Sequence, residues 1–300
     1  MQLLGAAKQA TGFYDSSELK QIFDCPIFIL SAPRSGSTLL FEQMAKLDGY
    51  WSMGAESHAV FAQFPHLRFE NANLDSGCLH ASHADAQTRE GFLRCFLFLA
   101  VNKLGQRYIT QEKRIEKLHF VEKTPRNALN IGFLKAIFPH AKFIYLYRDP
   151  RQNIASMIEA WQLGQQTGQF VTYPQLPGFD KKWCFLLPPM WRSMVGRSLA
   201  EIASFQWTQT NAMVMEQLCG LSQEQWIKVS YQDLITQPEQ ELDRLNEFVG
   251  ANSQQLSHLD MALSKTTVSV PHPDKWKKFE KEIMALESQW APIFERLESS

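Results

Sequence analysis

The 300-residue sequence predicts an α/β protein in which a central parallel sheet is flanked by helices on both faces. Three observations predict it. Short apolar runs of strand type, at 26–30, 119–121, 142–147 and 226–229, alternate with helical patterns at 37–47, 87–104, 126–138, 150–161, 199–218 and 237–249. Hydrophobic residues make up 45% of the chain and charged residues 20%, an ordinary globular composition and enough for one elaborated domain over 1–300. The first strand-like run breaks into a loop of small residues that opens an amphipathic stretch, the layout of a phosphate-cradling loop.

Taken in order, residues 1–19 carry neither a basic start nor an apolar block, so they do not read as a secretory signal and a cytoplasmic location is expected. Ile27-Phe28-Ile29-Leu30 leads into Ser31-Ala32-Pro33-Arg34-Ser35-Gly36, and Ser37-Thr38-Leu39-Leu40 begins the next helix. Residues 50–85 are rich in His, Phe and small polar residues and have weak periodicity. The most apolar run, 92–101, is broken by Arg94 and is far shorter than the roughly 18 residues needed to span a bilayer. It reads as a buried helix, and no membrane association is expected.

The run at 142–147 ends in Arg148, and Asp149-Pro150 follows, proline being at home in a first helical turn. Residues 163–198 are interrupted by Gly and Pro and carry Phe170, Tyr173, Phe179, Trp183, Phe185 and Trp191. That segment is expected to be an irregular cap, which either grips an organic acceptor or folds on a small core of its own. The net charge of −1 supplies no field for nucleic acid or acidic membranes. The five cysteines are scattered without a C-x-x-C, which suits structural thiols in a reducing compartment.

Chemistry concentrates at two strand ends, which a parallel sheet brings to one crevice. In the common nucleotide-binding loop a lysine follows the second glycine and reaches the outer phosphates. Here Ser37 follows Gly36, Ser31 stands at the first glycine, and the cation is Arg34 inside the loop. Such a loop suits an inert 5′-phosphate better than phosphoryl transfer. Ser156 lies eight residues beyond Arg148, about two helical turns on, so a guanidinium and a hydroxyl can share one phosphate.

The pairing of Ala32-Pro33-Arg34-Ser35-Gly36-Ser37-Thr38-Leu39 with Tyr147-Arg148-Asp149-Pro150 and Ser156 resembles the sulfotransferases that use 3′-phosphoadenosine 5′-phosphosulfate (PAPS). Val121-Glu122-Lys123-Thr124-Pro125-Arg126-Asn127 resembles the lysine-bearing strand end of the tyrosylprotein-type branch, and Val229-Ser230-Tyr231-Gln232-Asp233-Leu234 the segment that closes over the nucleotide. The four motifs occur in family order. The resemblance implies a P-loop-like α/β fold, with PAPS as co-substrate, 3′-phosphoadenosine 5′-phosphate (PAP) as product, and no metal. It further implies that Arg34, Ser35, Gly36, Ser37 and Thr38 contact the 5′-phosphosulfate, Arg148 and Ser156 the 3′-phosphate, and Tyr231 the nucleotide. Ser269 and Lys275-Trp276-Lys277-Lys278 resemble the late loop that approaches the 3′-phosphate, although a solvated basic face accounts equally well for those lysines.

Met53-Gly54-Ala55-Glu56-Ser57-His58 resembles the family's Gly-Glu-Glu-Thr-Arg stretch, whose second glutamate falls on Glu56 as general base. Ala55 and His58 depart from that pattern, which weakens the case for tyrosine in an acidic peptide as substrate. His58 becomes the rival base, since imidazole suits neutral pH. Lys123 and Arg34 are expected to stabilise charge on the leaving oxygen. His58, His66, His80 and His83 match no standard metal spacing. The leading expectation is sulfuryl transfer to a hydroxyl of a small-molecule or carrier-tethered acceptor. A P-loop kinase and a non-catalytic nucleotide-binding protein are the alternatives.

Overall fold

The structure, a computed structural model, describes residues 2–70, 74–111, 117–250 and 272–299. Its main sheet contains β1 (Ile27–Leu30), β2 (Tyr50–Ser52), β3 (Val101–Asn102), β4 (His119–Lys123), β5 (Lys142–Tyr147) and β8 (Trp226–Ser230), in the order β3-β2-β4-β1-β5-β8. The pairs β2·β4, β4·β1, β1·β5 and β5·β8 are parallel, and only the edge pair β2·β3 is antiparallel. A two-stranded antiparallel ribbon, β6 (Val171–Tyr173) with β7 (Trp183–Cys184), stands apart.

Alternate side chains of the strands enter two separate cores, as the two-residue period of a strand requires. Phe28, Phe120, Phe143 and Tyr145 face one side, where Phe96, Phe133, Phe138 and Trp207 bury them. Ile27, Ile29, Val121, Ile144, Leu146 and Val229 face the other, against Leu40, Leu234, Leu242 and Leu245. Burial on both faces explains why the strands read as nearly continuous apolar runs.

Several elements differ from the sequence expectation. The helix expected at 87–104 is Ala86–Leu99, because the chain turns at Ala100 and becomes the edge strand β3 beside β2. Arg94, which interrupts its apolar run, is buried, and its guanidinium donates to Thr11 O, Tyr14 O and Glu90 Oε1. It thereby ties this helix to the N-terminal segment. The pattern at 126–138 splits into a 3-10 turn, Pro125–Leu129, and a helix, Ile131–Ile137, with Asn130 between them accepting the Leu79 N–H. The helix expected at 150–161 continues to Thr167, where Gly168 ends it in a left-handed conformation.

The segment 163–198 is more regular than expected. Trp161, Phe179, Trp183, Trp191, Ile202 and Phe205 form its own core beneath the β6–β7 ribbon. All five cysteines are free thiols. Among the described residues, no helix is long and apolar enough to cross a membrane.

The loop between β1 and the helix Ser37–Met44 is clamped from below by Asn153. Its amide Nδ2 donates to Pro33 O (2.7 Å), and its Oδ1 accepts the Ser35 hydroxyl (2.7 Å). Ser31 Oγ donates to Ser37 Oγ (2.9 Å) across the neck of the loop. Replacing Asn153 by Ala leaves a buried carbonyl and hydroxyl without these partners. We expect a loss of about 1–3 kcal/mol, read as a lower urea-unfolding midpoint.

Candidate active site

A cavity of about 680 Å³ opens at the carboxyl edge of the sheet, lined by Arg34, Gly36, Ser37, Thr38, Glu56, His58, Lys123, Arg148, Ser156, Tyr231 and Lys275 among others. Five strands deliver these groups. β1 leads to the Arg34 loop, β2 to Glu56 and His58, β4 ends in Lys123, β5 is followed by Arg148, and β8 by Tyr231.

The loop backbone is committed to close approach. Gly36 has φ 97°, and a Cβ there would lie 2.4 Å from the Tyr231 ring, so only glycine fits. Arg34 also has a left-handed φ, 68°, which turns its side chain toward the helix Pro150–Thr167. Sequence reasoning separates the roles of Arg34 and Arg148, one for each end of a ligand. In the structure both guanidinium groups lie in one corner. Arg34 Nε donates to Ser156 Oγ (3.4 Å), and Arg148 Nη1 donates to Arg34 O (3.4 Å).

The Arg34 guanidinium also lies over Phe170 at 5.2 Å and that of Arg148 over the Tyr231 ring at 4.6 Å, while Arg148 Nη2 donates to Gln152 Oε1. Burial lowers the pKa of both arginines. The neighbouring Arg148 charge adds to this at Arg34 while Glu159 opposes it, and Tyr231 and Asp149 oppose it at Arg148. The other loop residues divide. Ser37 and Thr38 line the cavity, whereas Ser35 is fully buried and spends its hydroxyl on Ala32 O and Asn153 Oδ1, so its side chain does not face the cavity.

At the other end of the cavity, Lys123 Nζ donates to Glu56 Oε1 (2.5 Å), and Glu56 Oε2 meets His58 Nε2 at 3.0 Å. The Lys123 side chain is 5% exposed and that of His58 54%, so the chain of contacts runs from the interior to solvent. Burial acts to raise the Glu56 pKa, but the His58 hydrogen bond and the Lys123 charge outweigh it and hold the carboxyl at about 2.

A buried network fixes this pair. Glu122 is held by Thr124 Oγ1 and by Asn127 Nδ2 (2.5 Å), and Thr124 Oγ1 accepts the Ser57 N–H (2.7 Å). Residues on either side of Lys123 therefore bind the residue next to Glu56. Sequence reasoning placed Lys123 but overlooked its neighbours Thr124 and Asn127, and also Arg126, which lines the same cavity.

Near the C-terminus, the turn Pro273–Phe279 packs on the helix Pro150–Thr167. It brings Lys275 to the cavity, where Lys275 Nζ pairs with Glu159 Oε2 (2.7 Å), and lays Trp276 against Arg151. Lys277 and Lys278 are exposed and paired with Asp274 and Glu159, so the basic run divides between the cavity and a solvated face. Ser269 lies outside the described residues.

The family model described as "Sulfotransferase family" matches residues 26–183, more than half of the chain. The chain belongs to the sulfotransferase family. That family is an enzyme family, and this member is a PAPS-dependent sulfotransferase. It is 24% identical over 237 residues to a Caenorhabditis briggsae protein named "Putative protein-tyrosine sulfotransferase", covering 79% of this chain and 69% of that one. Among solved structures, sulfotransferase STF9 from Mycobacterium avium superposes with a TM-score of 0.53 at 14% identity, over 98% of this chain and 81% of that chain. Sulfotransferase STF1 from Mycobacterium tuberculosis H37Rv does so with a TM-score of 0.50 at 15% identity, over 95% and 82%. These two likenesses establish the fold.

The depressed Glu56 pKa has a signed consequence. Its ionised form is favoured by folding, so the stabilisation is complete above the ordinary value of 4.5 and is lost as pH falls toward about 2. The stability difference between the wild type and Glu56→Gln should therefore be constant above about pH 5 and shrink steadily below pH 4.5. Urea midpoints measured across that range check it, and a difference independent of pH would contradict the assigned environment.

Proposed function

We propose that this sulfotransferase moves the sulfuryl group of PAPS to a hydroxyl of a small-molecule or carrier-tethered acceptor, with Glu56 as the general base. The observation that carries the reading is the sharing of one cavity by the phosphate loop, the Arg34–Arg148–Ser156 corner and the Lys123–Glu56–His58 chain. A cavity of about 680 Å³ suits a nucleotide-sized donor. The residues fit such a donor in kind. Gly36 lets the loop backbone approach closely, and two cations and a hydroxyl meet at a spot where a phosphate would relieve their mutual repulsion.

PAPS, when bound, supplies the sulfuryl group and leaves as PAP. The amides of the loop and of the first turn after Gly36 hold the 5′ end. Arg148 and Ser156 hold the 3′-phosphate, with Lys275 beside them, and Tyr231 flanks the nucleotide. Arg34, beside Arg148 and Ser156, would add a second cation for the donor's phosphates. Lys123 stabilises charge developing on the leaving oxygen.

A carboxylate with a pKa of about 2 is a weak base, so Glu56 needs a change of surroundings to take the acceptor proton. Reorientation of Lys123 toward the transferred group supplies it by removing the nearest cation from Glu56 Oε1. His58, bonded to the other carboxylate oxygen and open to solvent, is placed to pass the proton outward.

Calorimetry of PAP binding tests the donor seat. Arg148→Ala should weaken binding about 10–100-fold and Ser156→Ala by a few-fold, while unchanged affinity in both would remove the 3′-phosphate assignment. With labelled PAPS and a panel of hydroxylated acceptors, Lys123→Ala should lower kcat by about 100–1,000-fold while changing PAP affinity less than about tenfold. Equal losses would make the lysine a ground-state binder.

A further inference from the structure

Arg126 is a cation that the proposed transfer does not use. It sits three residues past Lys123 in the turn Pro125–Leu129, half-buried, with its guanidinium stacked on the Phe61 ring at 4.0 Å. Among the described residues it makes no hydrogen bond or ion pair, so all five N–H donors lack a protein acceptor. Burial lowers its pKa, and Tyr173 and Glu70 oppose that only from a distance. A guanidinium withdrawn from water with no carboxylate on it is costly, and an anion of matching shape offsets the cost.

Its position says where such an anion would come from. Arg126 and Tyr173 line both the main cavity and an adjoining concavity of about 340 Å³, and His58 lines both as well. Arg126 therefore stands at the throat between the two, on the side of Glu56 and His58 rather than in the Arg34–Arg148 corner. The cavity wall nearby is apolar, formed by Leu129, Leu186, Leu187 and Phe185.

We propose that Arg126 reads a carboxylate on the acceptor, making the substrate class a hydroxylated acid with an apolar body. The proposal rests on the sulfotransferase reading of the same cavity. The hydroxyl meets Glu56 and His58, the apolar part lies along the leucines, and the carboxylate takes the Arg126 fork in a bidentate contact. A neutral acceptor would leave that fork unsatisfied, so the residue acts in specificity as well as affinity.

The test is calorimetry on PAP-loaded protein with two probe pairs, hydroxydecanoate and hydroxyphenylpropanoate, each against its methyl ester. At least one acid should bind the wild type about tenfold or more tighter than its ester, the scale of one charge-assisted bidentate contact. Arg126→Gln should abolish that preference, and Arg126→Lys, which keeps the charge but loses the fork, should retain part of it. PAP titrations on each variant report folding and donor binding separately. Failure of the wild type to bind PAP would sink the donor reading. Intact PAP binding with acid and ester bound alike, with neither bound, or with the preference surviving in Arg126→Gln, would overturn the role of Arg126.

Discussion

Parallel hydrogen bonding between β2, β4, β1, β5 and β8 is the constraint on which the site depends. Because these strands run in one direction, their carboxyl ends share an edge, and each chain exit there leaves a side chain lining the same cavity. The residues concerned are spread from Arg34 to Tyr231, and no local interaction could gather them. Reversing any one strand would carry its side chain to the far edge. The two cores hold this edge rigid, and Asn153 transmits that rigidity to the Arg34 loop by binding it directly to a packed helix. A helix that also presents Ser156 to the cavity thus fixes the loop and one wall of the site together.

The cavity concentrates positive charge at a net cost to folding. Burial disfavours the charge on both Arg34 and Arg148, the Arg148 charge adds to this at Arg34, and Glu159 at Arg34 with Tyr231 and Asp149 at Arg148 only partly compensate. Gln152 and the Tyr231 ring steady Arg148, while Ser156 and Phe170 steady Arg34. Stability given up in this way suits a site adapted to an anionic ligand, whose charge adds to the partial compensation that Glu159 and Asp149 already provide.

The sheet was largely legible in the sequence because strands buried on both faces write themselves as dense apolar runs. β1, β4, β5 and β8 were all anticipated to within two residues at each end. β2 and β3 were not, since three and two residues give no periodicity, and β3 exists only because Ala100 turns the chain beside Trp51. The loop and Arg148 were legible because their spacing is local. Arg126 falls inside the Val121–Asn127 motif without standing out there, since nothing in a sequence tells a paired arginine from an unpaired one. Glu56 and His58 were read as rivals, whereas the fold joins them through one carboxylate.

That shared carboxylate links donor seat and base. Lys123 has one ammonium and, on the proposed reading, two partners: Glu56 in the resting arrangement and the leaving oxygen during transfer. While it sits on Glu56 the carboxylate is too acidic to accept a proton usefully. Once it moves, Glu56 gains basicity where and when an acceptor hydroxyl must lose its proton. Thr124 and Glu122 keep this exchange short by holding the Lys123 backbone and the Ser57 amide in one buried network, so the ammonium need only rotate about its own stem. A base that strengthens only when the leaving group is engaged would suppress attack by adventitious water in an empty site, so a resting value of about 2 is compatible with the role proposed for Glu56.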